Sequence, residues 1–572
     1  GPYITEHDGR MITLLPIRRR LRYLIPFGEP QEIIDHLKRD AERHPEGLAV
    51  YADDGEKFGI WPHTHAHCYG DGWLQRFFDL LDQNRDWLEV VPLADAARVA
   101  PLGRAYLPSG SYAEMKQWAM PASAILQYDQ FESGLKESDQ FERFSRFIGG
   151  GHWRSFLTKY EEANLLHKKM LAVSDKLDRF LRDHPDRATE VSAARDRLYA
   201  GQCNCGYWHG VFGGLYLPHI RQALYTALIE AETLIDDLTG AAGVRIESRD
   251  YDIDGFDEVL VETQAFSAVF RPRRGASLIH LGLRRHHFDI TDTLTRRREA
   301  YHLKVDQAVI GPGRKRTHTI HDRILAKEPG LGQLLTDDWY LKRCFVDHFF
   351  TDDVDYDRFR TNRFGEEGDF IIEPFEVHAG PDPSAVTFVR NGHLWRPGGI
   401  VPLCLTKRFA FGESADEILV TYELVCPEGS AARVLFGVEN NFNFQAGHAE
   451  DRYVLIDGIR PDNSFLDGSG AHPAAERVAL VDHYRCIGIS LISDRPAELW
   501  RLPIWTVSQS DGGFERVYQG TTLVSVYRLN VTGTPVRITQ RLAAGNLAAI
   551  GLESVAVDRK STRLNSSHGK LS

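Results

Sequence analysis

The sequence predicts a multidomain protein, α/β at its front and all-β at its back, and three successive patterns along the chain carry that prediction. Residues 1 to about 107 alternate short extended segments with amphipathic helices, residues 107 to 239 repeat apolar side chains at helical spacing, and short strands follow Gly240. At 572 residues the chain exceeds what one core supports, so two or three domains are expected. The net charge of -12 argues against nucleic acid, which is held by clustered Lys and Arg. No apolar run is long enough to span a bilayer, and no signal peptide follows Gly1. Seven cysteines without a regular framework read as reduced thiols, which places the protein in the cytoplasm.

At the front, Tyr3-Ile4-Thr5 and Met11 to Pro16 are extended, and Glu29-Pro30 opens a helix with proline in its first turn. Ile33, Ile34, Leu37 and Ala41 recur along it and give one buried face. A strand over Leu48 to Ala52 follows. Trp73, Leu74, Phe77, Phe78 and Leu81 mark the next helix, and Trp87-Leu88-Glu89-Val90-Val91 the next strand. The βαβαβ order implies a parallel sheet with right-handed crossovers.

The stretch that carries chemistry is Asp53-Asp54-Gly55-Glu56-Lys57, which ends the second strand in two carboxylates, a glycine and a charged turn. In α/β architectures reactive groups sit where strands end and loops begin. Neighbouring strand residues point to opposite faces, so Asp53 and Asp54 are expected to have different tasks rather than to share a proton. A solvated turn is the plainer reading. His63-Thr64-His65-Ala66-His67-Cys68 places alternate histidines on an extended chain, which would project to one side as metal ligands. Loop histidines near a sugar site, or partly buried helix-entry residues, are favoured instead, because a structural zinc needs four ligands and no second cluster accompanies them.

In the helical region Asn164, Leu165, Leu166, Met170, Val173, Leu177 and Phe180 form one stripe, and Ile220, Leu224, Leu228, Ala231, Leu234 and Ile235 another. Between them lies an irregular run of glycines and aromatics, Gly206-Tyr207-Trp208-His209-Gly210 to Tyr216. It is either the wall of a binding cleft, with a sugar's C–H face on Trp208, or an aromatic plug. Gly149-Gly150-Gly151-His152-Trp153 is a weaker case of the same pattern. Cys203-Asn204-Cys205 lacks the spacing of a zinc or thioredoxin motif. After Gly240, Glu258 to Thr263, Ile418 to Val425 and Thr522 to Leu529 read as strands of a large β-sandwich. The basic runs Arg284-Arg285-His286-His287 and Arg296-Arg297-Arg298 have acidic neighbours Asp289, Asp292 and Glu299, so a salt-bridged face is favoured over an anion site. The basic, unpatterned segment from 558 to 572 reads as a disordered or foreign tail.

Asp53-Asp54-Gly55-Glu56-Lys57-Phe58-Gly59 with Trp61-Pro62 resembles the fourth signature region of glycoside hydrolase family 57, the α-amylase and 4-α-glucanotransferase group. Gln202-Cys203-Asn204 with Tyr207-Trp208-His209-Gly210 resembles the fifth, and Arg296 to His302 with Ile320-His321-Asp322 the C-terminal module. The chain departs from the pattern at Ala52 and Cys205, where members carry His and Asp. The resemblance implies domains at 1–107 (the C-terminal portion of a (β/α) barrel), 108–245 (helical, lining the cleft) and 246–557 (β-sandwich). It implies that Asp54 is the general acid/base of a retaining mechanism, and that Asp53, Lys57, Trp61, Cys205, Tyr207, Trp208 and His209 contact substrate. The family's first three signature regions, with the nucleophilic Glu, are expected upstream of these residues, which would leave this chain with little or no activity. The implied substrate is an α-1,4-glucan or maltooligosaccharide, with no metal, no cofactor, no nucleic acid and no membrane, and with a homodimer left open. A non-catalytic glucan-binding scaffold is one alternative. A metal-dependent hydrolase using Asp53, Asp54 and His63 or His65 is another.

Overall fold

The structure, a computed structural model, describes residues 1–552 except 46, 62, 108–112, 211–212, 311–324, 414 and 511–512. Pro62, Val211, Phe212, Ile320-His321-Asp322 and the expected tail lie outside the described residues. The chain divides into two compact units, residues 1–110 and 111–572.

In the first unit β1 (Tyr3–His7) and β2 (Arg10–Leu14) form an antiparallel hairpin. Asp8 and Gly9, both at positive φ, make the tight Asp-Gly turn such a hairpin favours. Helix α1 (Arg19–Leu24) and helix α2 (Pro30–Arg43) follow, the latter with Pro30 in its first turn and Ile33 and Ile34 buried, as the spacing predicts. Helix α3 (Trp73–Gln83) completes the core, in which Leu21, Leu24, Ile25, Ile33 and Trp73 pack together against Tyr51 and Phe58. The expected strand over Leu48 to Ala52 and the expected parallel sheet are corrections: among the described residues of this unit only two isolated parallel bridges form, Ile17 with Val50 and Ile4 with Arg104. The expected strand at Trp87 to Val91 is a correction: Arg85 to Trp87 turn, Leu88 to Val91 are irregular, and Val90 is 73% exposed. β-propensity marks a side-chain set that suits a sheet, but a strand also needs a hydrogen-bonded neighbour. None of the described residues pairs with this segment.

The second unit is layered. Helix α4 (Glu161–Asp183) and helix α5 (Pro218–Thr239) pack on each other through Leu166, Val173, Leu177, Phe180, Leu224, Leu228 and Ile235. Beneath them runs an antiparallel five-stranded sheet of β3 (Arg245–Arg249), β4 (Glu258–Glu262), β5 (Phe266–Arg271), β6 (Ser277–Leu283) and β7 (Phe288–Asp289). Alternation sorts its two faces. Leu260, Val269 and Ile279 meet Leu165 of α4, whereas Val259, Val261, Ala268 and Phe270 enter the sandwich core. Both faces are covered, which explains why these strands read as continuous apolar runs.

The second layer of the sandwich is a large sheet, thirteen strands among the described residues. It contains the strands Ala385–Arg396, Gly399–Phe411 and Glu417–Val425, each antiparallel to the next. Phe270 stands 4.6 Å from Phe409 and 5.6 Å from Phe388 across the interface, so aromatic packing joins the sheets. The basic runs are salt-bridged, but to carboxylates distant in sequence: the neighbours expected to pair with them bind elsewhere, Asp289 to His280, Asp292 to Arg221 and Glu299 to Lys159. Arg284 pairs with Asp236 at 2.5 Å, Arg296 with Asp338 at 2.6 Å and Arg297 with Glu162 at 2.7 Å.

Candidate functional site

The two aspartates diverge as alternation along extended backbone predicts. The Asp53 side chain is 1% exposed, and its Oδ2 accepts a hydrogen bond from Lys57 Nζ at 2.6 Å. Its Oδ1 accepts from Arg22 Nε at 3.1 Å and from the Asp54 amide at 2.9 Å. Burial alone would raise the Asp53 pKa, but the Lys57 ammonium, the Asp54 amide and the Arg22 guanidinium outweigh it and hold the carboxyl below its ordinary range. Asp54 faces outward. Its side chain is 53% exposed, with Oδ2 accepting from Arg22 Nη2 at 3.3 Å. It sits immediately before the 3-10 turn Gly55–Phe58, in extended backbone, so the turn holds it clear of the packed core.

Lys57 is buried with Asp53, and its ammonium also donates to the Arg22 carbonyl at 2.9 Å. It lies 5.7 Å from the centre of the Phe27 ring and 5.6 Å from that of Trp61. Those two rings stack at 6.2 Å, Phe27 half-exposed and Trp61 partly so. Asp53 and Lys57, expected to touch substrate, are thus turned inward as the support on which Asp54 and the ring pair rest. Sequence reasoning missed Arg22 and Phe27. Arg22 lies thirty-odd positions upstream in a run of arginines, where nothing local distinguishes the one that reaches both aspartates.

The histidine segment takes the helix-entry form and not the extended one: residues 64–70 are helical. His67 Nε2 pairs with the Pro26 carbonyl at 2.8 Å, and His65 packs on Tyr69. Among the described residues no three of Asp53, Asp54 and these histidines bring ligand atoms within 4.8 Å of one another.

In the second unit Cys203 and Cys205 are exposed, Cys203 immediately before the 3-10 turn Asn204–Tyr207 and Cys205 on it. The three residues that follow are corrections to the sugar-facing expectation. Tyr207 is 4% exposed, its hydroxyl donating to the Gly201 carbonyl and its ring packed beneath α4 and α5. Trp208 is 7% exposed and packs edge-on to Phe156 among Met115, Tyr160, Leu215 and Tyr216. His209 is fully buried, Nδ1 on the Gly213 carbonyl at 3.0 Å and Nε2 on the Tyr301 hydroxyl at 3.1 Å. The segment is an aromatic plug, and its glycines serve close packing. Gly214 has φ +51, and a Cβ there would stand 2.2 Å from the Trp208 carbonyl oxygen. Gly214→Ala is therefore expected to destabilise the second unit by about 2–4 kcal/mol, read as a lower denaturation midpoint, because the obstacle is backbone and cannot rotate away.

No described helix is long and apolar enough to cross a membrane. Residues 1–108 match Glycosyl hydrolase family 57, residues 151–235 the middle domain of alpha-amylase/4-alpha-glucanotransferase, and residues 250–538 its C-terminal domain. Over 548 residues the chain is 35% identical to Alpha-amylase 1 of Dictyoglomus thermophilum, covering 95% of this chain and 76% of that one. It is 32% identical to the 4-alpha-glucanotransferase of Thermococcus litoralis, over 92% of this chain and 73% of that one. The crystal structure of the Thermococcus litoralis enzyme superposes with a TM-score of 0.74 at 30% identity, over 95% of this chain and 74% of that one. The fold class is that of the C-terminal portion of a (β/α) barrel, a helical region and a β-sandwich. The order of the three matched segments and the identity across nearly the whole chain lead to one conclusion: the chain belongs to glycoside hydrolase family 57, the alpha-amylase/4-alpha-glucanotransferase group.

Proposed function

We propose that this protein acts on α-1,4-glucans by a retaining mechanism, with Asp54 as the general acid/base. The observation that carries the reading is the contrast within the pair: Asp53 is buried and ion-paired, while Asp54 presents a half-exposed carboxyl at the start of a turn. In a retaining enzyme one carboxylate attacks the anomeric carbon while an acid protonates the leaving oxygen, the two carboxyls about 5–5.5 Å apart. Asp54 gives its proton to the glycosidic oxygen as the C–O bond breaks. It then takes a proton from the incoming hydroxyl, that of water in hydrolysis or the 4-hydroxyl of another glucan in transfer. The Phe27–Trp61 pair offers the apolar face on which a glucose ring can lie. The family resemblance places the nucleophilic Glu in a signature region not matched among these residues, so this chain alone is proposed to bind glucan and turn it over slowly or not at all.

Maltoheptaose tests both statements. Calorimetric titration of the chain is expected to show saturable binding that Trp61→Ala weakens about 5- to 10-fold. Chromatography after incubation is expected to show little maltoheptaose consumed. Absence of binding, or binding indifferent to Trp61, defeats the proposed subsite. Rapid turnover by the chain alone defeats the assignment of the nucleophile elsewhere.

A further inference from the structure

The loop between β3 and β4 reads Asp250-Tyr251-Asp252-Ile253-Asp254-Gly255, and its three aspartates converge. One carboxylate oxygen from each lies within 4.8 Å of the others. Convergence of acids is not by itself a site. The second observation is Asp252, which is 3% exposed and whose Oδ1 is buried with no hydrogen-bond partner, while Oδ2 is taken by Arg271. A buried carboxylate oxygen without a donor is unfavourable by about 1–3 kcal/mol or more, and a cation placed among the three carboxylates removes that deficit.

The surroundings hold the loop in place. Glu258 Oε2 accepts from the amides of Tyr251 and Asp252 at 3.0 and 3.2 Å. Asp250 accepts from the amides of Asp254 and Gly255, both at 3.1 Å, and Asp254 from that of Phe256 at 3.0 Å. The Asp252 carbonyl accepts from Asn164 of α4 at 2.8 Å. Arg271 does not neutralise the group, because it is shared with Glu161 at 2.8 Å and with Glu258 at 3.8 Å.

We infer that this loop is a Ca²⁺ site in which Asp250, Asp252 and Asp254 hold the ion. The ligand chemistry selects the metal: three hard carboxylates at alternate positions, followed by a glycine that turns the chain, is the arrangement that oxygen-liganded Ca²⁺ takes. The twelfth position from Asp250 is Val261, not the Glu that completes a tight sensor loop, which sets the expected affinity near about 10⁻⁴ M. Bound there, the ion stiffens the β3–β4 connection, whose Asp252 carbonyl accepts from Asn164 of α4.

The test uses the whole chain, stripped with a chelator and dialysed. Calorimetry with CaCl₂ is expected to show one ion per chain, and 10 mM CaCl₂ to raise the melting temperature by about 3–5 °C. Asp254→Asn keeps the amide contact at an exposed position and is expected to fold, while binding Ca²⁺ at least about 10-fold more weakly. Asp257→Asn, next to the cluster but outside it, is expected to bind as the parent does. No saturable heat, an equal response to MgCl₂, or unchanged binding by Asp254→Asn overturns the site.

Discussion

Asp54→Asn is expected to lower glucan turnover about 10²- to 10⁴-fold, in a form of the enzyme that carries the nucleophilic carboxylate, while the melting temperature stays within about 1–2 °C of the parent. The opposite outcome is expected one residue earlier. Asp53→Asn leaves the Lys57 ammonium, whose side chain is 7% exposed, without its counter-charge, and takes one acidic partner from Arg22. Removing one member of a buried ion pair is unfavourable by about 3–5 kcal/mol, a large part of what a unit of this size has in reserve. Thermal unfolding followed through the first unit's tryptophans, together with maltoheptaose turnover, separates the two aspartates. A double substitution, Asp53→Asn with Lys57→Met, is expected to regain much of the stability because the uncompensated cation is gone. Were Asp54→Asn to unfold the unit, or to turn over glucan as the parent does, Asp54 would be a structural residue and the proposed acid/base would have to be sought elsewhere.

What the sequence made legible follows from how local each cause is. Helix α4 is visible because Leu166, Val173, Leu177 and Phe180 repeat at the helix's own period, and the opposed facing of Asp53 and Asp54 is visible because extended backbone alternates. The missing strand at Trp87 to Val91 and the inward turn of Trp208 depend on distant partners. Val90 has strand propensity but nothing to pair with, and Trp208 is enclosed by Met115, Phe156 and Tyr216. Glycines beside aromatics signalled close approach correctly. They could not signal that the approaching group was the chain's own backbone rather than a sugar. Arg22, which bridges both aspartates, and Asp292, which receives Arg221 at 2.7 Å, are set by the same kind of long-range contact.

A large loss of stability in the second unit is expected from Glu299. Its Oε2 accepts from Lys159 Nζ at 2.8 Å, and its Oε1 from the hydroxyls of Tyr160 at 2.6 Å and Tyr216 at 2.8 Å. The side chain is 1% exposed and Lys159 8%, so Glu299→Gln strands a buried ammonium and is expected to remove about 3–5 kcal/mol. Acid is expected to act in two stages. Burial lowers the pKa of neighbouring His209 to about 4, against an ordinary value of 6.5, so the fold holds this ring neutral. That contribution is complete above the unfolded value and is lost as pH falls from 6.5 to 4, by about 3 kcal/mol at about 1.4 kcal/mol per pH unit. Burial would raise the pKa of Glu299, but the charges of Lys159 and His209 and the hydrogen bonds from Lys159 and Tyr160 outweigh it and hold the carboxyl below its ordinary range. Its contribution is therefore full above the unfolded carboxylate value and is lost as pH falls below about 4.5 and through the folded pKa. Urea unfolding from pH 7 to pH 3 is expected to show both limbs in the parent. Glu299→Gln is expected to lose the lower limb and keep the upper one, because the negative charge that favoured protonated His209 has gone while the burial that opposes it remains. A variant whose stability falls with acid as the parent's does below pH 4.5 would show that the carboxylate's charge contributes nothing at this junction.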